Sequence, residues 1–185
     1  RALEDPELLV RAYAAEALAK LGPEGIAAAR TAAPQIVLGL SSSDPELRHF
    51  AARALGQLGP TAAAAVPALR DSLRTGDDRT RGTSAEALGR IGAEARSAVP
   101  DLVAALRDPS DDVAAYTAVA FGGIGAAAAD AVPLIEELLR NERAQVRMHA
   151  AWALGELRGT ATPAVQSLIA NLKDADLDAR RLAAW

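Results

Sequence analysis

Histidine, cysteine and serine–histidine pairs supply most of the nucleophiles and many of the metal ligands in enzymes, and this chain has few such residues. Its 185 residues contain two histidines, His49 and His149, and no cysteine. The histidines lie far apart in the sequence, and neither belongs to a recognisable nucleophile motif. We therefore predict no catalytic residue, no metal site and no bound cofactor.

Three pairs of neighbouring carboxylates are the remaining candidates for acid–base chemistry, because paired carboxylates can serve as general acid and general base. The pairs are Asp77-Asp78, Asp111-Asp112 and Glu136-Glu137. The first two stand where helices are predicted to begin, and acidic side chains there interact favourably with the helix dipole. We interpret the pairs as structural rather than catalytic.

An uncharged, glycine-rich segment, VAAYTAVAFGGIGAAAA at 113–129, suggests two other functions. The spacing Gly123-x-Gly125-x-x-Ala128 fits a loose dinucleotide-binding motif, but that motif follows a strand, and the residues before Gly123 have helical periodicity. A membrane span needs about 20 apolar residues, and this segment is shorter and weakly hydrophobic. We expect neither a dinucleotide site nor a membrane segment.

A repeat of 33 residues runs along the chain, and the glycine-rich segment is one copy of it. The sequence ARALGQLG at 52–59 recurs in related form at 85–92, 118–125 and 151–158, while AEALAKLG at 15–22 is displaced by a four-residue insertion. Sequence repeats of this length are typical of solenoid proteins. The repeated glycines then have a packing role, because small residues let neighbouring helices approach closely.

Each repeat contains two stretches with the apolar spacing of an amphipathic helix. Ala14 and Leu18 belong to the first stretch of one repeat, and Leu69 and Leu73 to the second stretch of the next. The dipeptide Asp44-Pro45 has the residue types preferred at a helix N-terminus. The pattern predicts an all-α protein in which each repeat is an antiparallel helix pair.

The unit DPELRHFAARALGQLGPTAAAAVPALRDSLR, residues 44–74, and its copies resemble HEAT repeats, most closely the short repeats of phycobilin lyase subunits. The resemblance implies a right-handed α-solenoid whose first helices line the convex side and whose second helices line the concave side. Residues 1–185 would form a single array of about five and a half units, as a fragment of a longer chain. The resemblance favours a non-catalytic protein-interaction scaffold. The alternative is a HEAT-repeat subunit of a chromophore lyase whose chemistry needs another chain or domain.

One column of arginines recurs in the repeats, with Ala114 as its single gap. Its members are Arg11, Arg48, Arg81, Arg147 and Arg180. The resemblance implies that these residues form an Asp–Arg ladder between repeats, and the alternative is that they bind the phosphates of a nucleic acid. The net charge of −4 and the pI near 5.2 argue against nucleic acid, which favours a basic surface.

Two surfaces are predicted to bind partners. The first, here called the concave groove, consists of small, apolar and acidic positions on the second helices: Leu38, Asp71, Asp101, Leu134 and Glu137. The second, here called the convex patch, lies at the end of a column expected to face solvent, which begins with Glu16; it comprises Val119, Met148, Trp152 and Trp185. Aligned apolar residues of this kind often mark an interface.

The composition of the concave groove favours a protein or peptide segment with apolar and basic side chains as the partner. The groove has no aromatic platform for single-stranded nucleic acid. We expect no membrane partner, and we expect that self-association could occur through the C-terminal edge. A cytoplasmic location is favoured, although no targeting signal in the sequence fixes it.

Overall fold

The computed structural model describes residues 2–184, and within that range it contains helices and turns but no strand. The first helices of successive repeats are α1 (Leu8–Ala19), α4 (Pro45–Gln57), α6 (Asp78–Ile91), α8 (Asp111–Ile124), α10 (Ala144–Leu157) and α12 (Leu177–Ala183). The second helices are α3 (Ala33–Gly39), α5 (Val66–Thr75), α7 (Val99–Ala105), α9 (Val132–Leu138) and α11 (Val165–Asn171). The protein is an all-α, right-handed solenoid of antiparallel helix pairs, as the sequence predicted.

Short 3₁₀ segments join the two helices of each repeat. Four of them span seven residues each, at Gly59–Ala65, Gly92–Ala98, Gly125–Ala131 and Arg158–Ala164. In the repeat with the four-residue insertion, an additional helix, α2 (Pro23–Ala29), precedes a shorter segment at Arg30–Ala32. The insertion is therefore accommodated as helix within the connection, and the pairing of α1 with the following repeat is retained.

The core is built from equivalent positions of successive repeats. First helices contribute Leu55, Leu88, Phe121 and Leu154, and second helices contribute Ile36, Leu69, Leu102 and Ile135. All eight side chains are at most 1% exposed, so each stabilises the fold by about 1.5–3 kcal/mol through burial. Because neighbouring repeats share this core, each first helix is positioned by the helices before and after it.

The repeated glycines Gly56, Gly89 and Gly122 lie at equivalent positions on successive first helices. They let neighbouring first helices approach closely, as the repeat predicted. A Cβ atom placed on Gly89 of α6 would lie 2.6 Å from the Cα atom of Ala120 on α8. One placed on Gly56 of α4 would lie 2.9 Å from the Cα atom of Ala87 on α6. At these two positions the backbones of adjacent first helices are too close for any side chain.

The expectation that the glycine-rich region is too short and too weakly hydrophobic to cross a membrane is wrong by length and composition alone, because Asp111–Leu138 meets both requirements. In the fold it is not one straight helix, because the chain turns at Gly125, where φ is +59°, between α8 and α9. Phe121, Ile124 and Ile135 from this segment lie in the core. No strand precedes its glycines in the described chain, so the dinucleotide motif lacks its structural context.

One turn places a side chain where the other repeats have glycine. Gly22, Gly59, Gly92 and Gly125 all have positive φ at the end of the first helix, whereas the fifth copy of this position is Arg158, with φ 48° and ψ −127°. Residues with a Cβ atom rarely adopt this backbone conformation, and holding one there costs about 1–3 kcal/mol. Because the Arg158 side chain is exposed, the strain is confined to the backbone of this turn.

We expect Arg158→Gly to raise the free energy of unfolding by about 1–2 kcal/mol, because glycine adopts this conformation without the Cβ penalty. Urea denaturation monitored by circular dichroism measures the change. The matched control is Gly125→Ala at the equivalent turn, where φ is +59° and no neighbouring atom lies within 4 Å of an added Cβ. The control should destabilise the protein by a similar amount, and an Arg158→Gly variant no more stable than the parent would contradict the strain.

Candidate functional site

The arginine column forms the predicted Asp–Arg ladder at three positions. Arg81 donates from Nε and Nη2 to the two carboxylate oxygens of Asp108, at 2.9 and 2.8 Å, and from Nη1 to the backbone oxygen of Gly76 at 3.0 Å. Arg147 makes the same bidentate pair with Asp174, at 2.6 and 2.8 Å. Arg48 donates to Asp77 at 2.6 Å. Each arginine thereby connects the turns on either side of its own repeat.

In the ladder the aspartates stay ionised, and the arginines donate hydrogen bonds to them. Hydrogen bonds from Arg147 lower the pKa of Asp174 to about 2. Burial alone would raise the pKa of Asp77, but hydrogen bonds from Arg48 and Thr80 outweigh it and lower that pKa to about 2. These guanidinium groups are committed to carboxylates within the chain, which argues against a column of free phosphate-binding arginines.

The two end members of the column bond backbone oxygens. Arg11 donates to the carbonyl oxygen of Asp5 at 2.6 Å, and Arg180 donates to that of Asp174 at 2.5 Å. Both carbonyls belong to the turn that precedes the arginine's own helix. Within residues 2–184, neither arginine has a carboxylate partner.

At the gap in the column, both members of the expected ion pair are replaced. Ala114 stands in place of the arginine, and Asn141 occupies the position equivalent to Asp108 and Asp174. Arg143, from the turn of the following repeat, donates to the carbonyl oxygens of Arg107 at 3.1 Å and Asp108 at 3.4 Å. No unpaired charge is therefore buried at this position, because the arginine and the aspartate are lost together.

Two of the acidic residues predicted for the concave groove, Asp71 and Asp101, are paired with arginines. Asp101 is mostly buried and accepts from Nε of Arg70 at 2.6 Å, while Arg74 forms ion pairs with both Asp71 and Asp101. The expectation of an acidic groove is thus wrong at its centre, because arginines on α5 compensate those carboxylates. Glu137 is exposed and has no ion pair in the described part of the chain.

Apolar side chains of the concave groove are open to solvent. Leu38 on α3 is 62% exposed, and Leu134 on α9 is 49% exposed. A largely apolar cleft of about 610 Å³ lies between Pro34 and Val37 of α3 and Ala62 and Ala65 of the next repeat, and Leu38 is not part of its lining. Leucine side chains this exposed gain free energy when a partner covers them.

The column that contains the convex patch departs from its predicted exposure. Glu16, expected to face solvent, is 3% exposed, because Arg53 of the next repeat and Lys20 both pair with it; Lys20 Nζ is 2.7 Å from Oε1. The expectation of a uniformly solvent-facing column is therefore wrong at Glu16. Burial would raise the pKa of this carboxyl, but the two cations outweigh it and lower the pKa.

The convex patch itself is partly covered. Val119 is 44% exposed, whereas Met148 and Trp152 are half-buried. The Trp152 ring packs against the core, and its indole N–H donates to Oε1 of Glu156 at 3.1 Å. Trp185 lies outside the described residues. As a docking surface, the convex patch stays a prediction.

The C-terminal edge exposes apolar residues whose equivalents are buried in earlier repeats. Val165 and Leu172 on α11 are 44% and 42% exposed, while Val132 and Leu139, one repeat earlier, are 3% and 2% exposed. Self-association through this edge stays a prediction.

The structure places His49 in a cleft on the first helices, which was not predicted from the sequence. Its Nδ1 atom lies 2.9 Å from the hydroxyl oxygen of Thr83, one repeat further along the chain. Tyr116 and two aspartates line the same cleft. The signal available in the sequence was the repeat itself, since residues about one period apart lie on adjacent first helices. Within the described chain, no group of three or more His, Asp or Glu side chains could hold a metal ion.

The profile of HEAT repeats matches residues 33–120 and 99–185. The chain belongs to the HEAT-repeat family. The match covers the repeats whose ladder and core are described above, and the resemblance to HEAT repeats seen in the sequence is confirmed. No curated protein sequence matches the chain.

Several solved structures share the HEAT-type fold over almost the whole chain. An engineered protein is 26% identical, with a TM-score of 0.66, covering 99% of this chain and 91% of its own. A chain in the complex of CpcE and CpcF of phycocyanin lyase from Nostoc sp. PCC7120 is 29% identical, with a TM-score of 0.57 and coverage of 98% and 71%. A designed armadillo repeat protein in complex with the peptide (KR)4 is 17% identical, with a TM-score of 0.67 and coverage of 99% and 94%.

Proposed function

We propose that this HEAT-repeat array is a non-catalytic scaffold that binds a protein or peptide segment along the concave groove. The observation that carries the proposal is the exposure of Leu38 and Leu134 on second helices of a groove in which Asp71 and Asp101 are already paired with arginines. Apolar side chains left open among satisfied polar groups favour a partner that covers them without breaking existing bonds.

The spacing of the groove suggests the size of the partner. Leu38 and Leu134 lie on second helices three repeats apart. Packed helices are separated by about 8–10 Å, so the two leucines are separated by roughly 30 Å, which an extended segment of about nine residues spans. The exposed Glu137 favours a basic side chain near Leu134. Residues 1–185 would act as one array in this role.

The burial of His149 supports a non-catalytic function. His149 is 2% exposed, so a substrate could not reach its ring without a change in packing. The ladder also pairs Asp77, Asp108 and Asp174 with arginines, so these three carboxylates are not free to act as a general acid or base.

The second candidate function is a HEAT-repeat subunit of a chromophore lyase. It is favoured by the 29% identity to a chain of the phycocyanin lyase complex, over 98% of this chain. In this case the chemistry would need another chain or domain, and the purified chain would bind a companion subunit or a bilin. A shift in bilin absorbance on mixing with the chain would favour this candidate over the scaffold.

Affinity purification from the source cells, with quantitative mass spectrometry, tests the scaffold. We expect Leu38→Glu combined with Leu134→Glu to lower recovery of the specific partner by about tenfold or more, because two exposed leucines worth about 1.5–3 kcal/mol each are replaced by charges. Leu21→Glu is the matched control, since Leu21 is 77% exposed and lies outside the concave groove.

A third variant distinguishes the two predicted surfaces. Val119→Glu places a charge in the convex patch and leaves the concave groove unchanged. If Val119→Glu loses the partner and the double leucine variant retains it, the partner binds the convex patch and not the concave groove. Equal recovery of the partner with every variant would contradict binding at either surface.

A further inference from the structure

A cleft of about 430 Å³ opens on the first helices, where α4, α6 and α8 meet. Its lining includes His49, Asp78, Thr83, Asp112 and Tyr116. We call this cleft the His49 cleft. The Tyr116 ring lies against Gly82, where an added Cβ would be 3.1 Å from the ring, and the side chain is 48% exposed. The cleft therefore has an aromatic wall, a buried imidazole and two carboxylates.

The hydrogen bonds around Thr83 determine which nitrogen of His49 carries a proton. The Thr83 hydroxyl donates to the carbonyl oxygen of Arg79 at 2.8 Å, so its single proton is already used. We assign Nδ1 of His49, 2.9 Å from the same hydroxyl oxygen, as the donor of this pair, because that tautomer is the one compatible with the Thr83–Arg79 bond. In the neutral ring the other nitrogen, Nε2, is unprotonated and acts as an acceptor.

The acceptor at Nε2 has no partner within residues 2–184. His49 is 8% exposed and lines the cleft, and its Nε2 atom is not fully enclosed by the protein. A buried ring held in one tautomer, with an open acceptor, is a preorganised group for a hydrogen-bond donor.

The charges around the cleft leave one carboxylate uncompensated. Asp78 pairs with Nη2 of Arg81 at 2.9 Å. Arg79, which also lines the cleft, pairs with Glu46 and lies 6.0 Å from the Phe50 ring centre. Asp112 is exposed and forms no ion pair in the described chain. The cleft thus presents an open nitrogen acceptor, a free carboxylate and the face of a tyrosine.

We propose that the His49 cleft binds the guanidinium group of an arginine side chain from a partner protein. A guanidinium is planar and carries five N–H donors, so it can stack on Tyr116 while donating to Nε2 of His49 and to Asp112. An ammonium group would pair with Asp112 but could not stack in the same way. The inference rests on the proposed scaffold function only in assigning the arginine to a protein partner.

Titration with a small probe tests the cleft without knowledge of the partner. The probe is N-acetyl-arginine-N-methylamide, and the control compound is the citrulline analogue, which has a similar shape and no charge. We expect the arginine probe to produce saturable NMR shifts at His49 and Tyr116, with Nε2 unprotonated in the free protein. The citrulline analogue should produce weaker shifts.

Neighbouring acids provide the matched variants. Asp112→Asn and Tyr116→Ala should each weaken binding of the arginine probe by about two- to fivefold. Asp111→Asn, which removes an adjacent exposed charge at the same helix start but outside the cleft, should leave the affinity unchanged. Equal shifts with citrulline, equal effects of Asp111→Asn and Asp112→Asn, or a proton on Nε2 would each overturn the proposal.

The probe titration tests the His49 cleft separately from the affinity purification, which tests the scaffold function. If the probe fails while the concave-groove variants still lose their partner, the cleft proposal is wrong and the scaffold stands. If the probe binds but no partner depends on the groove, the cleft is an arginine site and the proposed groove function is wrong.

Discussion

Arg81→Ala should lower the free energy of unfolding by about 2–4 kcal/mol, the largest single effect expected in this protein. The substitution removes two hydrogen bonds to Asp108 and one to the backbone oxygen of Gly76. The Asp108 side chain is only 10% exposed, so it would be left as a poorly solvated, unpaired carboxylate. Removing one partner of a largely buried ion pair costs more than the pair itself contributes.

The loss should depend on pH in a defined direction. Burial would raise the pKa of Asp108, but hydrogen bonds from Arg81 and the Ser110 backbone outweigh it and lower the pKa. A carboxyl with a lowered folded-state pKa stabilises the protein above its unfolded-state pKa, and this stabilisation is lost as the pH falls. The difference in the free energy of unfolding between the parent and Arg81→Ala should therefore be largest at pH 7 and decrease below about pH 4.

Urea denaturation at pH 7 and at lower pH measures both effects. Arg79→Ala is the control, because Arg79 is a near neighbour on α6 whose ion pair with Glu46 is more than half exposed on both sides. Exposed pairs of this kind contribute about 0–1 kcal/mol. If Arg81→Ala costs no more than Arg79→Ala, the Asp–Arg ladder does not stabilise the solenoid.

Gly89→Ala should destabilise the protein by about 1–3 kcal/mol, although alanine is the better helix former by about 1 kcal/mol. The added methyl group would lie 2.6 Å from the Cα atom and 2.9 Å from the Cβ atom of Ala120. Neither atom can move without shifting α8 relative to α6. The overpacking therefore has to be relieved by displacement of a whole helix, which exceeds the gain in helix propensity.

Gly122→Ala is the matched control for this prediction. Gly122 occupies the equivalent position on α8, but its added methyl group would meet the Glu156 carboxylate at 2.5 Å, which can rotate away, and the Glu156 Cβ atom at 3.2 Å, which needs to shift only slightly. We expect Gly122→Ala to leave the stability unchanged or to raise it by up to about 1 kcal/mol. Thermal unfolding of both variants provides the comparison, and equal effects would show that helix packing at Gly89 is looser than described.

The sequence predicted the features that depend on one repeat or on its period. Asp44 caps α4 by accepting from the backbone N–H of Glu46 at 2.9 Å, as the Asp44-Pro45 pair indicated. The arginine column and its gap at Ala114 also followed from counting residues. These features could be predicted because local capping and regular spacing are recorded directly in the order of the residues.

Features that depend on contacts between particular neighbours could not be read from the period. Glu16 is buried because Arg53 and Lys20 both reach it, and Asp101 is neutralised because Arg70 extends from the preceding second helix. The Nδ1–H form of His49 depends on how Thr83 uses its own proton. Each depends on side-chain directions that a column of equivalent positions does not specify.

Hydrogen–deuterium exchange of the array, alone and with the partner recovered by affinity purification, tests the scaffold function most directly. We predict that the partner slows exchange in the second helices α3, α5, α7 and α9, and that the double variant with Leu38→Glu and Leu134→Glu loses this protection. Protection confined to the first helices, or unchanged protection in that variant, would contradict binding along the concave groove.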